Sequence, residues 1–342
     1  MKVRPFGQLA ALASVIWLTS CNWVSLATHA ASYRTTVAGE AGNVVIHGPF
    51  AYATLAEQGL SLTALATSET VARFPPPAGS GSVDDLCVAD DLLFVLDARP
   101  PGFLSVLSLS EPKNPVLVGG PVEVPVGPFS GVSAAGGHVV VSGGTSRLTL
   151  RSYDRQGRLG QQVATADLGR GQPDVLLSAD GRRAYVSTHF SGPHFGITVL
   201  DAGEPPAVSE RGRLELDTIG FTAGGAKPAN FPVEMAARAE LVLVAHRPGL
   251  GIVDVRGATP ALVKVLHPGV EPVNVDIQGD TAVVVGSSPE PLLAIIDISR
   301  PEQAAVTRSI PLPPGSYATG VAIGPAHIAV AAHAKGVLVY RR

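Results

Sequence analysis

Charge, aromatic rings and sulfur are all scarce in this chain. Of its 342 residues only 15 % are charged and 5 % aromatic, with two cysteines and two methionines. Cys21 and Cys87 do not form a disulfide framework, and no paired Cys-x-x-Cys supports a metal. Charge is balanced as well as sparse: 25 Lys and Arg stand against 28 Asp and Glu, a net of -3. Without basic runs the chain has no electrostatic footprint for nucleic acid. A His-Glu-x-x-His helix is absent, and so is the Gly-x-Ser-x-Gly elbow of nucleophilic hydrolases. Gly143-Gly144 and Gly249-Leu250-Gly251 lie between apolar runs with no helix following, so they read as turns and not phosphate cradles. Asp84-Asp85 and Asp90-Asp91 flank a strand without calcium-loop spacing.

What is abundant is glycine (38), proline (29) and apolar residues, 46 % of the chain. That mixture fits many short buried strands joined by tight turns and argues against disorder. One stretch shows the pattern most cleanly, from Pro272 to Pro314. Pro-Val-Asn-Val-Asp-Ile is followed by Gly279-Asp280 and then by Thr-Ala-Val-Val-Val-Gly. After a Ser-Ser-Pro turn come Leu293-Ala-Ile-Ile-Asp-Ile, a Ser299-Arg-Pro turn, and Ala305-Val-Thr-Arg-Ser-Ile. Four short β-rich runs between turns form one unit.

Units of the same kind begin near Ala41, Val83, Ser130, Pro173, Pro232, Pro272 and Thr319, at spacings of 40 to 47 residues with one of 59. Seven or eight residues on, most carry hairpin chemistry, such as Gly48-Pro49, Asp90-Asp91, Gly136-Gly137 and Asp180-Gly181. The run after each turn is continuously apolar: Leu92-Leu-Phe-Val-Leu, Val139-Val-Val-Ser, Ala282-Val-Val-Val. Strands packed on both faces read this way. Four strands per unit at this period predict an all-β, seven-bladed β-propeller of four-stranded blades. The repeats override the length-only prior of about two domains. The last unit stops at Arg342, one strand short. Residues 32 to 38, Ser-Tyr-Arg-Thr-Thr-Val-Ala, are expected to supply that outer strand and close the ring, which protects the edge.

The first residues carry an address. Met1-Lys2-Val3-Arg4 is a basic start, and Gly7 to Leu18 is apolar over the length of a signal sequence, too short to span a bilayer comfortably. Leu18-Thr19-Ser20-Cys21 resembles a bacterial lipobox. The resemblance implies a signal peptide of residues 1–21 ending at Cys21, acylation of Cys21, a tether over 22–31, and a propeller over 32–342. Three acyl chains would anchor the protein firmly, since one alone is marginal. The alternative is an ordinary secretory signal cut after Ala30, where Thr28-His29-Ala30 is a small-x-small site. Both readings export the protein. Asn22 after the cysteine favours an outer membrane or the cell surface.

Ile252-Val-Asp-Val and Ile295-Ile-Asp-Ile-Ser-Arg-Pro look like the LVIVD repeat of bacterial surface propellers. Asp180-Gly-Arg-Arg-Ala-Tyr-Val-Ser followed by Ile197-Thr-Val-Leu-Asp201 looks like the related YVTN repeat. The resemblance implies a propeller at the cell envelope and no particular reaction, since the motifs are structural.

Candidate site residues follow from the repeat. His189, His246 and His333 fall at the end of the second run of their units, with Asp97 and Glu57 at comparable positions and His194 beside His189. Imidazoles and carboxylates ringed on one face are a donor set for a divalent metal. Equally, a repeat position that merely tolerates polar residues produces the same pattern, spread around a ring and far from its axis. No other cofactor is indicated. The longest unit places Ile219 to Phe231 as an inter-blade loop on the ligand-side face, with Phe221, Lys227, Asn230 and Phe231 as the first candidates for partner contact. Cys87 reads as a buried, inert thiol in an inner strand. The sequence therefore points to an exported, lipid-anchored binding or scaffolding protein, meeting the membrane through Cys21 and an envelope protein, glycan or small ligand elsewhere. The alternative is a metal-dependent hydrolase or lactonase-like enzyme with its site at the channel mouth.

Overall fold

The computed structural model describes residues 41–127, 130–143, 147–167, 174–189, 195–202, 208–216, 234–246, 249–287 and 289–342. Residues 1–40 lie outside this set, and with them Cys21 and the expected closing strand. Residues 217–233, which contain Phe221, Lys227, Asn230 and Phe231, lie outside it as well.

The chain is an all-β propeller of seven blades, spanning residues 44–74, 85–123, 131–167, 175–215, 234–266, 274–311 and 320–341. Each blade is an antiparallel meander whose strands pair in chain order from the axis outwards. The first six sheets have four strands, and the seventh has three among the described residues. The innermost strands are Val44–His47, Asp85–Ala89, Gly131–Ala135, Val175–Leu177, Glu234–Arg238, Asn274–Gln278 and Gly320–Ile323. Tight turns join them to the second strands. At Asp90-Asp91 both residues take left-handed φ, +51° and +58°, the geometry whose twist matches a two-residue hairpin.

The core is split into seven wedges, one at each seam between neighbouring blades. Phe50, Tyr52, Leu60 and Leu62 of blade 1 pack on Leu86, Leu93 and Leu107 of blade 2. Leu243, Leu250 and Ile252 of blade 5 pack on Val275, Val284 and Ile296 of blade 6. The remaining seams repeat the pattern. Every blade thus buries both faces, which is why the second strands are apolar without alternation: Leu93, Phe94, Val95 and Leu96 are all fully buried. Burying one such side chain contributes about 1.5–3 kcal/mol, so the ring is held chiefly by its wedges.

The ring closes between the last blade and the start of the first. Ala41 and His333 exchange backbone hydrogen bonds at 3.2 Å in both directions. The Thr319 hydroxyl bonds to the Gly42 carbonyl at 2.6 Å.

Candidate functional site at the channel mouth

Seven inner strands surround a central channel of about 330 Å³. Each of these strands is an edge on its channel side, so alternate N–H groups along it have no ladder partner. An amide left bare in a confined wall costs about as much as a lost hydrogen bond. Short polar side chains from the preceding blade meet that need. The Val132 N–H of blade 3 donates to Asp85 Oδ2 of blade 2 at 2.8 Å. The Met235 N–H of blade 5 donates to Asp174 Oδ2 of blade 4 at 2.9 Å. The Val321 N–H of blade 7 donates to Asn274 Oδ1 of blade 6 at 3.3 Å. Asn43 of blade 1 bridges to blade 2 through its amide, which donates to Asp85 Oδ1 at 2.5 Å.

A second tier lies deeper in the channel and repeats the device. The Leu177 N–H donates to Ser133 Oγ at 3.0 Å, and the Ile323 N–H to Asp276 Oδ2 at 2.8 Å. Cys87 occupies the same tier, hydrogen-bonded by the Ala134 backbone of the next blade, and burial pushes its thiol well above the usual range. It is a wall group that stays protonated, not an activated nucleophile.

The upper tier therefore presents Asn43, Asp85, Asp174, Glu234 and Asn274 around the mouth, with Gly131 and Gly320 at the two remaining positions. Gly131 leaves a gap between carboxylates: a Cβ there would sit 3.2 Å from Asp174 Oδ1 and 3.6 Å from Asp85 Oδ2. Among the described lining residues are four carboxyls, from Asp85, Asp174, Glu234 and Asp276, and no Lys, Arg or His. A one-signed, narrow opening of this kind focuses field and favours positively charged groups.

The predicted candidates sit elsewhere. His246 ends the second strand of blade 5, is 3 % exposed and does not line the channel. His333 has φ +50° and holds Ala41 through its backbone, while its ring lies 5.8 Å from that of Tyr317. His189 ends the second strand of blade 4, and its side chain lies outside the described set. Asp97 is buried at the top of blade 2, where the N–H groups of Gly81, Ser82 and Arg99 and the Arg99 side chain donate to its two oxygens. Burial would raise its pKa, but these donors outweigh that and hold it below the ordinary carboxylate range. Asp84 beside it goes the other way: burial raises it, and the Ala98 N–H offsets this only in part. Arg99 also reaches Glu57 at 3.1 Å, so this group ties the top loops of blades 1 and 2 together. Among the described residues no three His, Cys, Asp or Glu side chains gather into a group that could hold a metal ion. No described helix is long and apolar enough to cross a membrane.

The wall residues carry a positional signal in the sequence. Asn43, Asp85, Glu234 and Asn274 all stand two residues into their units. Asp174 falls one place short, because the turn in its blade is longer, its flanking Ser178 and Arg183 being joined through the Arg183 carbonyl.

Comparison with known proteins agrees with the architecture. No family model matches the chain, and no curated protein matches it. Solved structures do. The WD40 domain of Neurospora crassa Pan2 superposes with a TM-score of 0.60 at 11 % identity, covering 89 % of each chain. Kuenenia stuttgartiensis hydrazine synthase superposes with a TM-score of 0.64 at 11 % identity, covering 90 % of this chain and 97 % of the other. The fold is that of a β-propeller. At such identity the likeness carries the fold and nothing of either protein's chemistry.

Proposed function

We propose that this protein is an exported, lipid-anchored β-propeller of the bacterial cell envelope, of the LVIVD/YVTN repeat type. In this reading it works as a binding or scaffolding module whose recognition surface is the channel mouth. The propeller fold is compatible with such a role. The observation that favours the mouth is its acidic wall, with Asp85, Asp174 and Glu234 in the upper tier and no basic lining residue among those described. The preferred partner presents a basic or otherwise cationic group. Proline-held loops support the reading. Pro75, Pro76 and Pro77 lie on the mouth side between blades 1 and 2, and Pro313 and Pro314 between blades 6 and 7. Such loops lose little conformational freedom on binding. Residues 219–231, with Phe221, Lys227, Asn230 and Phe231, are a further proposed contact.

Photo-cross-linking in cells tests the placement. A reactive residue at Glu234 should capture an envelope partner that one at Asp180, on the opposite face, does not; capture from Asp180 alone would sink the assignment. Fatty-acid labelling tests the anchor: the protein should incorporate label and Cys21→Ser should not. The enzyme alternative calls for bound metal lost on replacing His189, His246 and His333 together with alanine, measured on protein beginning at residue 22.

A further inference from the structure

The seven seams of the ring are not joined alike. Below the mouth loops, six of them carry a polar tie from one blade to the next. Five of these ties lie on the channel wall: Asn43 to Asp85, Val132 to Asp85, Leu177 to Ser133, Met235 to Asp174 and Ile323 to Asp276. The sixth joins blades 5 and 6, where Lys264 Nζ donates to the Ala304 carbonyl at 2.7 Å.

Among the described residues, the seam between blades 7 and 1 has no such wall tie. The inner strand of blade 7, Gly320–Ile323, has no polar side chain to offer. Blade 1 requires none. Its Gly42 N–H donates to the Thr54 carbonyl at 3.1 Å, its Asn43 N–H to the Thr54 hydroxyl at 2.8 Å, and its Val44 N–H to Asn43 Oδ1 at 2.8 Å. Blade 4 caps Val175 in the same way through Asp174, but adds the Ser133 tie lower down. Parting blades 7 and 1 therefore leaves none of these three amides bare, and the usual cost of an unpaired amide does not arise. The apolar cost is small as well. Six of the eight described buried residues in this wedge are alanine, which loses much less on exposure than leucine or phenylalanine. The bonds described across the seam, between Ala41 and His333 and from Thr319 to Gly42, all lie at its mouth end.

We propose that the seam between blades 7 and 1 is a lateral gate. It parts reversibly on the side away from the mouth, pivoting on the mouth-end bonds, while the blades themselves stay folded. The ladder bonds of each blade run within its own sheet, so separating two neighbours breaks none of them. Openings of this local kind need far less free energy than global unfolding. The open form makes a slot between Val44–His47 and Gly320–Ile323, and the closed channel becomes a groove that can be entered from the side.

The test is thiol labelling at matched positions. Ala51, Ala184 and Ala282 each stand second in the second strand of their blade and are fully buried. Ala51 lies in the closing seam, Ala184 in the seam between blades 3 and 4, and Ala282 in that between blades 5 and 6. Ala51→Cys, Ala184→Cys and Ala282→Cys are made singly in the full-length protein, and peptide mass spectrometry reads labelling at each position apart from Cys21 and Cys87. Ala51→Cys should label at least about tenfold faster than the other two. Urea should raise its rate much less steeply than that of global unfolding, because little surface is exposed. Ala329→Cys, on the blade 7 side of the same wedge, should label alongside it. Equal rates at the three seams overturn the gate, as does a urea dependence as steep as that of global unfolding. Fast labelling of Ala51→Cys without Ala329→Cys overturns it too, since blade 1 then frays alone. If either variant fails to fold, Ala53→Cys or Ala331→Cys takes its place in the same wedge.

Discussion

The seam between blades 1 and 2 and the seam that closes the ring are built from different materials. The first is a wedge of large side chains, with Phe50, Tyr52, Leu60, Leu62, Leu86 and Leu93 all buried. The closing seam is mostly alanine: Ala41, Ala51, Ala53, Ala322, Ala329 and Ala331, with Val44 and Leu65. Small side chains bury less apolar area, so this wedge contributes less per residue than its counterpart. It also carries backbone bonds between Ala41 and His333 and a bond from the Thr319 hydroxyl to the Gly42 carbonyl. Both joins carry directed hydrogen bonds, the first through Asn43 to Asp85 and Val83 to the Ala56 carbonyl; what separates their cores is apolar volume, large at the first and small at the closing seam.

Four changes would break or sharpen this contrast, and they are expected to differ in size. The largest effect is expected from deleting residues 32–39, the proposed outer strand of the last blade. Loss of the edge should lower stability of the whole ring in chemical denaturation, and an unchanged midpoint would remove that segment from the fold. Next is Leu62→Ala in the large wedge, with a cost of about 2–5 kcal/mol from lost burial and an unfilled cavity. Ala329→Val tests the closing seam from the other side. The site is fully buried among alanines, so added methyl groups should overpack it by about 1–3 kcal/mol. A neutral result would mean that the seam has spare room. The smallest is Thr319→Val, which keeps the shape and removes the hydroxyl, with a loss of about 1 kcal/mol in the same denaturation assay.

The large wedge was legible in the sequence and the closing one was not. Runs such as Leu92-Leu-Phe-Val-Leu announce strands covered on both faces, and the turn chemistry between runs spaces them into seven blades. An alanine-rich seam leaves no such mark, because Ala322, Ala329 and Ala331 look unremarkable in any strand. The channel wall was hidden for another reason. Aspartate and asparagine in a strand normally argue against one. Here the strand is an edge whose amides require acceptors, and the acceptor comes from a different blade some 45 residues earlier, as with Asp276 and Ile323 at a separation of 47. His189 and His246 end the second strands of their blades, whereas His333 lies two residues beyond its strand, which stops at Ala331; His246 is buried outside the channel, and the His333 backbone pairs with Ala41.

The bond from Thr319 to the Gly42 carbonyl spans 277 positions of the chain. Hairpins within a blade join neighbours and can form as soon as they leave the ribosome, whereas this contact needs almost the entire polypeptide. Contacts of such separation are slow to form, because the chain entropy is lost before the contact repays it. Assembly should therefore run blade by blade and finish with one slow step, the meeting of the two ends. Until then, blade 1 carries one face uncovered, lined by Ala51 and Ala53 where the big wedge would have shown leucine and tyrosine. A face of alanines is a poor nucleus for aggregation compared with a face of large apolar side chains. Placing the small residues at the join that stays open longest gives the nascent protein time to complete itself.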